Sequence, residues 1–283
     1  MRNEPTVSEK EFYAEHGFLA VPEFLDKDEL AQWRSAVDGA LAGRGSQRFS
    51  FVPEEGPGPS NGGRRTEEQD YYDHVFTQRV NLWQTDADIK ALLLQKDLGS
   101  FAGELAGVSG LRIWHDQALV KEPYGNPTAY HLDVPYWSFT SADAITIWMA
   151  LDDATLENGC LYYVPGSQKA QKFDNVGIGN HIGALFDVYP EWRDVRAVPC
   201  PVPAGGALFH NGLIFHGAGA NMTPGRRRAM TCAYMPDGAT FNGQRNVLPP
   251  QYFNSLKVGD VLDNEDQNPL VYRARSAAPA PSP

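Results

Sequence analysis

YHLDVPYW, residues 130–137, surrounds a histidine and a carboxylate with large apolar side chains. Tyr130, Leu132, Val134, Tyr136 and Trp137 suit a β-strand. His131 and Asp133 do not suit a plain core. Residues i and i+2 of a strand share a face, so the spacing predicts that His131 and Asp133 point the same way. An imidazole and a carboxylate side by side are half of a metal site. The other half must come from elsewhere in the chain.

The remaining histidines are His16, His74, His115, His181, His210 and His216. His16 falls in the last turn of a predicted helix, where the dipole favours a cation, and reads as structural. His74 and His181 stand in polar, irregular surroundings with no partner pattern. His115 precedes Asp116, but adjacent strand residues face opposite ways, so that pair cannot chelate. His210 and His216 flank the Asn211-Gly212 turn. His210 ends a strand. His216 follows Leu213, Ile214 and Phe215 and opens HGAGAN, whose small side chains leave room above the imidazole. This favours His216 as the third ligand and keeps His210 as its competitor. Two histidines and one carboxylate form the facial set of non-haem Fe(II) oxygenases, which leaves positions open for substrate, cosubstrate and dioxygen.

HGAGANMTPGRRRAM, residues 216–230, adds a cation. A hairpin centred near Thr223 would set residue 216 opposite about residue 230, with Arg227 about 10 Å away at roughly 3.3 Å per residue. 2-Oxoglutarate could span that gap, its keto acid on iron and its far carboxylate on the guanidinium. Alternation puts Arg226 and Arg228 on one, solvated face and Arg227 on the other. The competing reading of GRRR is a basic surface turn.

The flanking sequence sets the fold. Before residue 110, SEKEFYAEHG offers Ser8 and Glu11 as a capping box with Gly17 as stop. FLAVPEFL reads as a strand. DKDELAQWRSAVDGALAG offers the Asp26/Glu29 box and a Leu30, Trp33, Val37, Leu41 stripe. Arg44 to Asp70 is a Gly/Pro-rich irregular loop, FTQRVNLW a strand, and DADIKALLLQKDLGSFAGELAG a helical region. After Gly110, short β-rich runs alternate with the turns ENG, PGS, HNG and TPG. This predicts a mainly β fold with flanking α-helices, one domain over residues 1–271. A helical buttress would occupy about 1–110 and an antiparallel double-sheet core about 111–240. Residues 272–283, ending in SAAPAPSP, are expected to be disordered.

Composition narrows the partners. A net charge of −11 over 283 residues argues against nucleic acid. No apolar run is long enough for a membrane span, and no signal-peptide pattern opens the chain. Cys160, Cys200 and Cys232 are scattered and odd in number, which fits a reducing, cytoplasmic location.

The chain resembles the phytanoyl-CoA dioxygenase family of Fe(II)- and 2-oxoglutarate-dependent oxygenases. The resemblance runs from EHGFLAVPEFLDKDEL through HLD and IWMALDDATLENGCLYYVPGS to HGAGANMTPGRRRA. It implies a double-stranded β-helix, or jelly roll, with His131, Asp133 and His216 on Fe(II) and Arg227 on 2-oxoglutarate. It also implies cosubstrate contacts at Gln117, Trp148 and Arg79. Ala218 departs from the serine the family often has, and Gln168 from the histidine of PGSH. The implied reaction consumes O2, decarboxylates 2-oxoglutarate to succinate and CO2, and hydroxylates a small-molecule substrate. Tyr136 and Trp137 could line the substrate pocket or belong to the core. Arg64 and Arg65 are the other clustered cations, too few to argue for a CoA phosphate site. Two alternatives remain: a non-catalytic jelly roll that binds metal or metabolite, and a cupin-like metal isomerase or hydrolase. Neither needs Arg227.

Overall fold

The computed structural model describes residues 1–51 and 67–274. The expected loop pair Arg64 and Arg65, most of the expected irregular loop and the end of the tail lie outside the described residues.

Helix α1 spans Val7–His16 and α2 spans Lys27–Arg44. The α2 cap is the expected one: Asp26 accepts from the Asp28 and Glu29 amides, and Glu29 returns to the Asp26 amide. The α1 box is two residues earlier than expected. Thr6 accepts from the Glu9 amide at 3.2 Å and Glu9 returns to the Thr6 amide at 2.7 Å, so Ser8 and Glu11 lie inside the helix. Both sites fit the same capping pattern, and a sequence pattern places helix ends only to within a residue or two. Gly17 ends α1 at φ 80°, a left-handed conformation that favours glycine. A short helix, α3, begins at Glu67 and ends at Asp73, overlapping the end of the segment expected to be irregular up to Asp70. The expected long helical region divides into α4 (Ala87–Leu93) and α5 (Lys96–Ala106).

The strands are β1 (Phe18–Val21), β2 (Thr77–Val80), β3 (Gly110–Lys121), β4 (Thr128–His131), β5 (Ile145–Ala150), β6 (Leu161–Tyr163), β7 (Val198–Cys200), β8 (Ala207–Asn211), β9 (His216–Ala218), β10 (Arg227–Pro236) and β11 (Leu270–Arg273). The larger sheet has the order β1-β8-β5-β10-β3-β11, with β2 also on β3; the smaller has β4-β9-β6-β7. All pairs are antiparallel. Two antiparallel sheets face each other as a jelly roll.

Three boundaries differ from expectation. β1 and β2 come from the helical part yet complete the large sheet, because a sheet edge must be paired or covered. β11 runs to Arg273, past the expected start of the disordered tail, and pairs with Leu111 and Arg112 of β3. Phe241, Val247 and Leu248, beyond the expected core end at 240, pack in one cluster with Trp114, Trp137 and Phe139.

Alternation on the large sheet separates two interiors. Met230, Cys232 and Tyr234 of β10 face the helices with Trp33, Val37, Leu98 and Phe101. Ala229 belongs to the inter-sheet cluster with Trp148, Leu161, Leu208 and Ala218. Arg227, Thr231 and Ala233 share that inner side by parity.

Candidate metal centre

β4 and β9 are the local reason the three candidate ligands meet. His131 sits directly across from His216 in their register. The backbones are close there: a Cβ on Gly217 would lie 2.7 Å from the Thr128 carbonyl. The expected continuous strand over 130–137 does not form. β4 ends at His131, and Asp133 has helical backbone angles before a 3-10 turn over Val134–Tyr136. The Asp133 and Val134 amides both donate to the Gly212 carbonyl at 3.0 Å. Asn175 brackets Leu132: its side-chain oxygen accepts from the Leu132 amide and its NH2 donates to the Leu132 carbonyl. Asp133 therefore reaches the histidines through a clamped turn, not through strand alternation.

Ligand atoms of His131, Asp133 and His216 all lie within 4.8 Å of one another. Asp133 Oδ1 is 3.6 Å from His131 Nε2 and 3.8 Å from His216 Nε2. His131 Nδ1 lies 2.9 Å from the Ala129 carbonyl and His216 Nδ1 lies 3.1 Å from the Ile214 carbonyl. A carbonyl only accepts, so each Nδ1 carries the proton and each Nε2 keeps its lone pair toward Asp133. Burial alone would raise the Asp133 pKa, but His216, His131 and His210 outweigh it and hold the carboxyl well below its ordinary range. Burial drives the His216 pKa well down, with His131 adding to the effect. A carboxylate with neutral imidazoles is the donor set Fe(II) takes.

His210 is set differently. Its Nε2 is 3.2 Å from Asp133 Oδ2, an acceptor, and its Nδ1 is 3.0 Å from the Tyr163 hydroxyl. Its Nε2 therefore carries the proton and Tyr163 donates to Nδ1. That tautomer leaves His210 no lone pair for a metal. Thr146 also donates to Asp133 Oδ2, at 3.2 Å. One carboxylate oxygen is held by two donors and the other stays free on the histidine side. His210→Ala or Tyr163→Phe should lower iron affinity about 10-fold, the scale of outer-shell partners. Metal titration by calorimetry checks this; an unchanged affinity in both variants would show that the network is only packing.

His131, Asp133, Thr146, His210 and His216 line one cavity of about 360 Å³. Its floor is read off the large-sheet register. His210, Thr146, Ala233 and His115 form one row across β8, β5, β10 and β3. Leu208, Trp148, Thr231, Gln117 and Val80 form the next. Arg227 lines the same cavity and is 2% exposed, and its Nε and Nη1 have no hydrogen-bond partner among the described residues. Its guanidinium lies 5.0 Å over the Trp148 ring. Burial lowers its pKa to about 10, which leaves it charged at neutral pH. A buried guanidinium with two unsatisfied nitrogens is costly unless an anion joins it.

The expected hairpin between His216 and Arg227 is absent: β9 and β10 belong to opposite sheets. Arg227 enters from the large sheet while the histidine pair comes from the small one. Nor is the Arg226/Arg228 face simply solvated. Arg228 meets Asp152 at 2.7 Å and Asp38 at 2.6 Å and is mostly buried.

Gln117 and Trp148 line the cavity; Arg79 does not. Gln78 and Val80 take the inward positions of β2, so alternation turns Arg79 out, where it donates to the Gly45 carbonyl at 2.7 Å. Tyr136 and Trp137 both line the cavity, and Trp137 is a core residue as well. Ala218 has no hydroxyl, but Thr128, its partner in the β4–β9 register, lines the cavity beside it. Sequence reasoning missed His115, Thr146, Tyr163 and Arg48. The alternation of β3 was a usable signal for His115, since it shares a face with Gln117.

The phytanoyl-CoA dioxygenase (PhyH) family profile matches residues 13–229. The chain belongs to the phytanoyl-CoA dioxygenase family. Dioxygenase lolE1 of Epichloe uncinata is 27% identical over 236 residues, 79% of this chain and 80% of that protein. The peroxisomal phytanoyl-CoA dioxygenase of Mus musculus is 23% identical over 245 residues, 81% of this chain and 68% of the mouse protein. Among solved structures, the non-haem α-ketoglutarate-dependent carbocyclase SnoK from nogalamycin biosynthesis superposes with TM-score 0.77 and 28% identity, over 95% of this chain and 97% of that one. The epimerase SnoN, solved with Fe3+, α-ketoglutarate and nogalamycin RO, gives TM-score 0.73 and 25% identity, over 94% and 98%. This member of the phytanoyl-CoA dioxygenase family is a non-haem iron, 2-oxoglutarate-dependent dioxygenase. Among the described residues, no helix is long and apolar enough to cross a membrane.

Proposed function

We propose that the enzyme hydroxylates a C–H bond of a small molecule, with His131, Asp133 and His216 holding Fe(II) and Arg227 holding the distal carboxylate of 2-oxoglutarate. Iron with 2-oxoglutarate and O2 supplies the oxidant: one oxygen atom goes to the substrate carbon, the other to succinate, and CO2 leaves. The observation that carries this reading is Arg227, buried and, among the described residues, without a partner at Nε or Nη1 in the cavity that also holds the His/Asp/His cluster. Trp148 lies against the guanidinium and orients it. Gln117 spans from Gln78 to His115, and its free amide hydrogen is available to the cosubstrate. Thr146 and His210 hold Asp133 Oδ2, which would leave Oδ1 to hold the iron. Tyr136 and Trp137 border the space left for substrate. A cytoplasmic location fits the three free, buried cysteines.

Ring closure is the second reading, favoured by the likeness to a carbocyclase at 28% identity. Hydroxylation and ring closure share the metal and cosubstrate and differ in the fate of the substrate carbon. A metal-binding jelly roll without turnover, or a cupin-like isomerase, leaves Arg227 without a role. Anaerobic Fe(II) titration with and without 2-oxoglutarate tests the reading. A visible charge-transfer band that needs both supports it. Iron binding indifferent to 2-oxoglutarate refutes it.

A further inference from the structure

The cavity contains more than the metal and cosubstrate positions. Toward solvent its walls are aromatic. Phe49, Tyr72 and Phe76 line it from one part of the chain, Tyr136 and Trp137 from another. Tyr136 is 36% exposed and marks the rim, while Trp137, 3% exposed, meets the His115 ring at 5.9 Å. Rings arranged in this way favour a flat π-system, since stacked and edge contacts contribute beyond area alone.

Polar groups in this part are biased toward donation. Among the described lining residues, the fully charged ones are Arg48, Asp133 and Arg227. Asp133 and Arg227 serve metal and cosubstrate in the reading above, on which this inference rests. Arg48 is left, stacked 5.2 Å over Phe49 and 5.4 Å over Tyr72. Among the described lining residues no carboxylate remains there to receive a cation. Deeper in the wall, Gln117 Nε2 lies 2.9 Å from His115 Nε2. Gln78 donates to the Gln117 oxygen. The Gln117 amide then donates to His115, so His115 Nδ1 carries a proton, and that atom is buried without a partner among the described residues.

We propose that the substrate carries a flat conjugated ring system bearing an electron-rich oxygen, a carbonyl, phenolate or carboxylate, with the ring on the aromatic walls and the oxygen at Arg48. An aliphatic acid of similar size forfeits the ring contacts, and an aromatic cation meets Arg48 as a like charge. Arg48 is thus a specificity residue.

The test is calorimetric titration of the anaerobic Fe(II)/2-oxoglutarate protein with 2-naphthoate, 2-naphthamide, 2-naphthylmethylammonium and decalin-2-carboxylate. Naphthoate should bind best. The saturated decalin acid and the ammonium should each be weaker by about tenfold. Arg48→Ala, an exposed substitution, should erase the preference for naphthoate over naphthamide, and Arg48→Lys should keep part of it. Equal binding of the decalin acid or the ammonium overturns the proposal, as does an Arg48→Ala variant with its preference intact, or no binding by any probe. The charge-transfer band, followed alongside, must survive naphthoate; its loss would mean displacement of 2-oxoglutarate and also overturns the proposal. A band that never forms with iron and 2-oxoglutarate alone counts against the proposed function instead. The ring preference is then decided by the same titrations on metal-free protein.

Discussion

Alanine at His131, Asp133 or His216 will lower Fe(II) affinity by more than about 100-fold and end succinate release, while His115→Ala will leave the metal bound. Outer-shell partners already cost about 10- to 100-fold, and these three offer the converging donor atoms themselves. The tautomers sharpen the contrast. His131 and His216 turn lone pairs toward Asp133 because their Nδ1 protons are committed to backbone carbonyls. His210 turns an N–H toward it, because Tyr163 occupies its other nitrogen. His115 donates to nothing near Asp133 and hydrogen-bonds Gln117. Iron titration by calorimetry and succinate release with any turnover-supporting substrate are the measurements. If His210→Ala loses iron altogether while His216→Ala retains it, the ligand set is wrong.

Arg227→Ala will weaken 2-oxoglutarate binding on the order of 10- to 100-fold and leave Fe(II) affinity nearly unchanged. A charge-assisted hydrogen bond contributes roughly 1.5–3 kcal/mol, and about 1.4 kcal/mol is tenfold in affinity. Arg227→Lys will recover part, since it keeps the charge and loses the two-point fork. Two neighbours serve as controls for different reasons. Arg226 is exposed and 3.7 Å from Asp38, so its removal should change little. Arg228 is mostly buried on Asp152 and Asp38, so Arg228→Ala should lower the melting temperature without a matching loss of 2-oxoglutarate affinity. Titrating 2-oxoglutarate into each Fe(II)-loaded variant, with a melting curve beside it, separates the two. Equal small losses of affinity at all three arginines would remove the cosubstrate anchor and favour a metal-binding jelly roll.

Residue chemistry that depends only on local pattern was legible in the chain itself. His-x-Asp, a distal His before small residues, and an arginine at odd parity in GRRR all declare their chemistry without coordinates. So did the alternation of β10, which puts Arg227 and Met230 on opposite sides of one strand. The way these residues meet was not legible. Strand alternation was the wrong reason for His131 and Asp133 to converge, because a turn gripped by the Gly212 carbonyl and Asn175 replaces the strand after His131. A local hairpin was the wrong route to Arg227, because β9 and β10 lie in opposite sheets and the cavity between those sheets does what the hairpin was expected to do. Arg79 was the β2 residue expected at the cosubstrate, and only the β2–β3 register shows that Gln78 and Val80 take the inward positions instead. His216 was favoured over His210 by its small neighbours, but only the acceptors around each ring separate their tautomers. Pattern carries side-chain identity and the face of a strand; pairing register, the sheet a strand joins and the tautomer of an imidazole depend on partners distant in sequence, and only the folded chain supplies them.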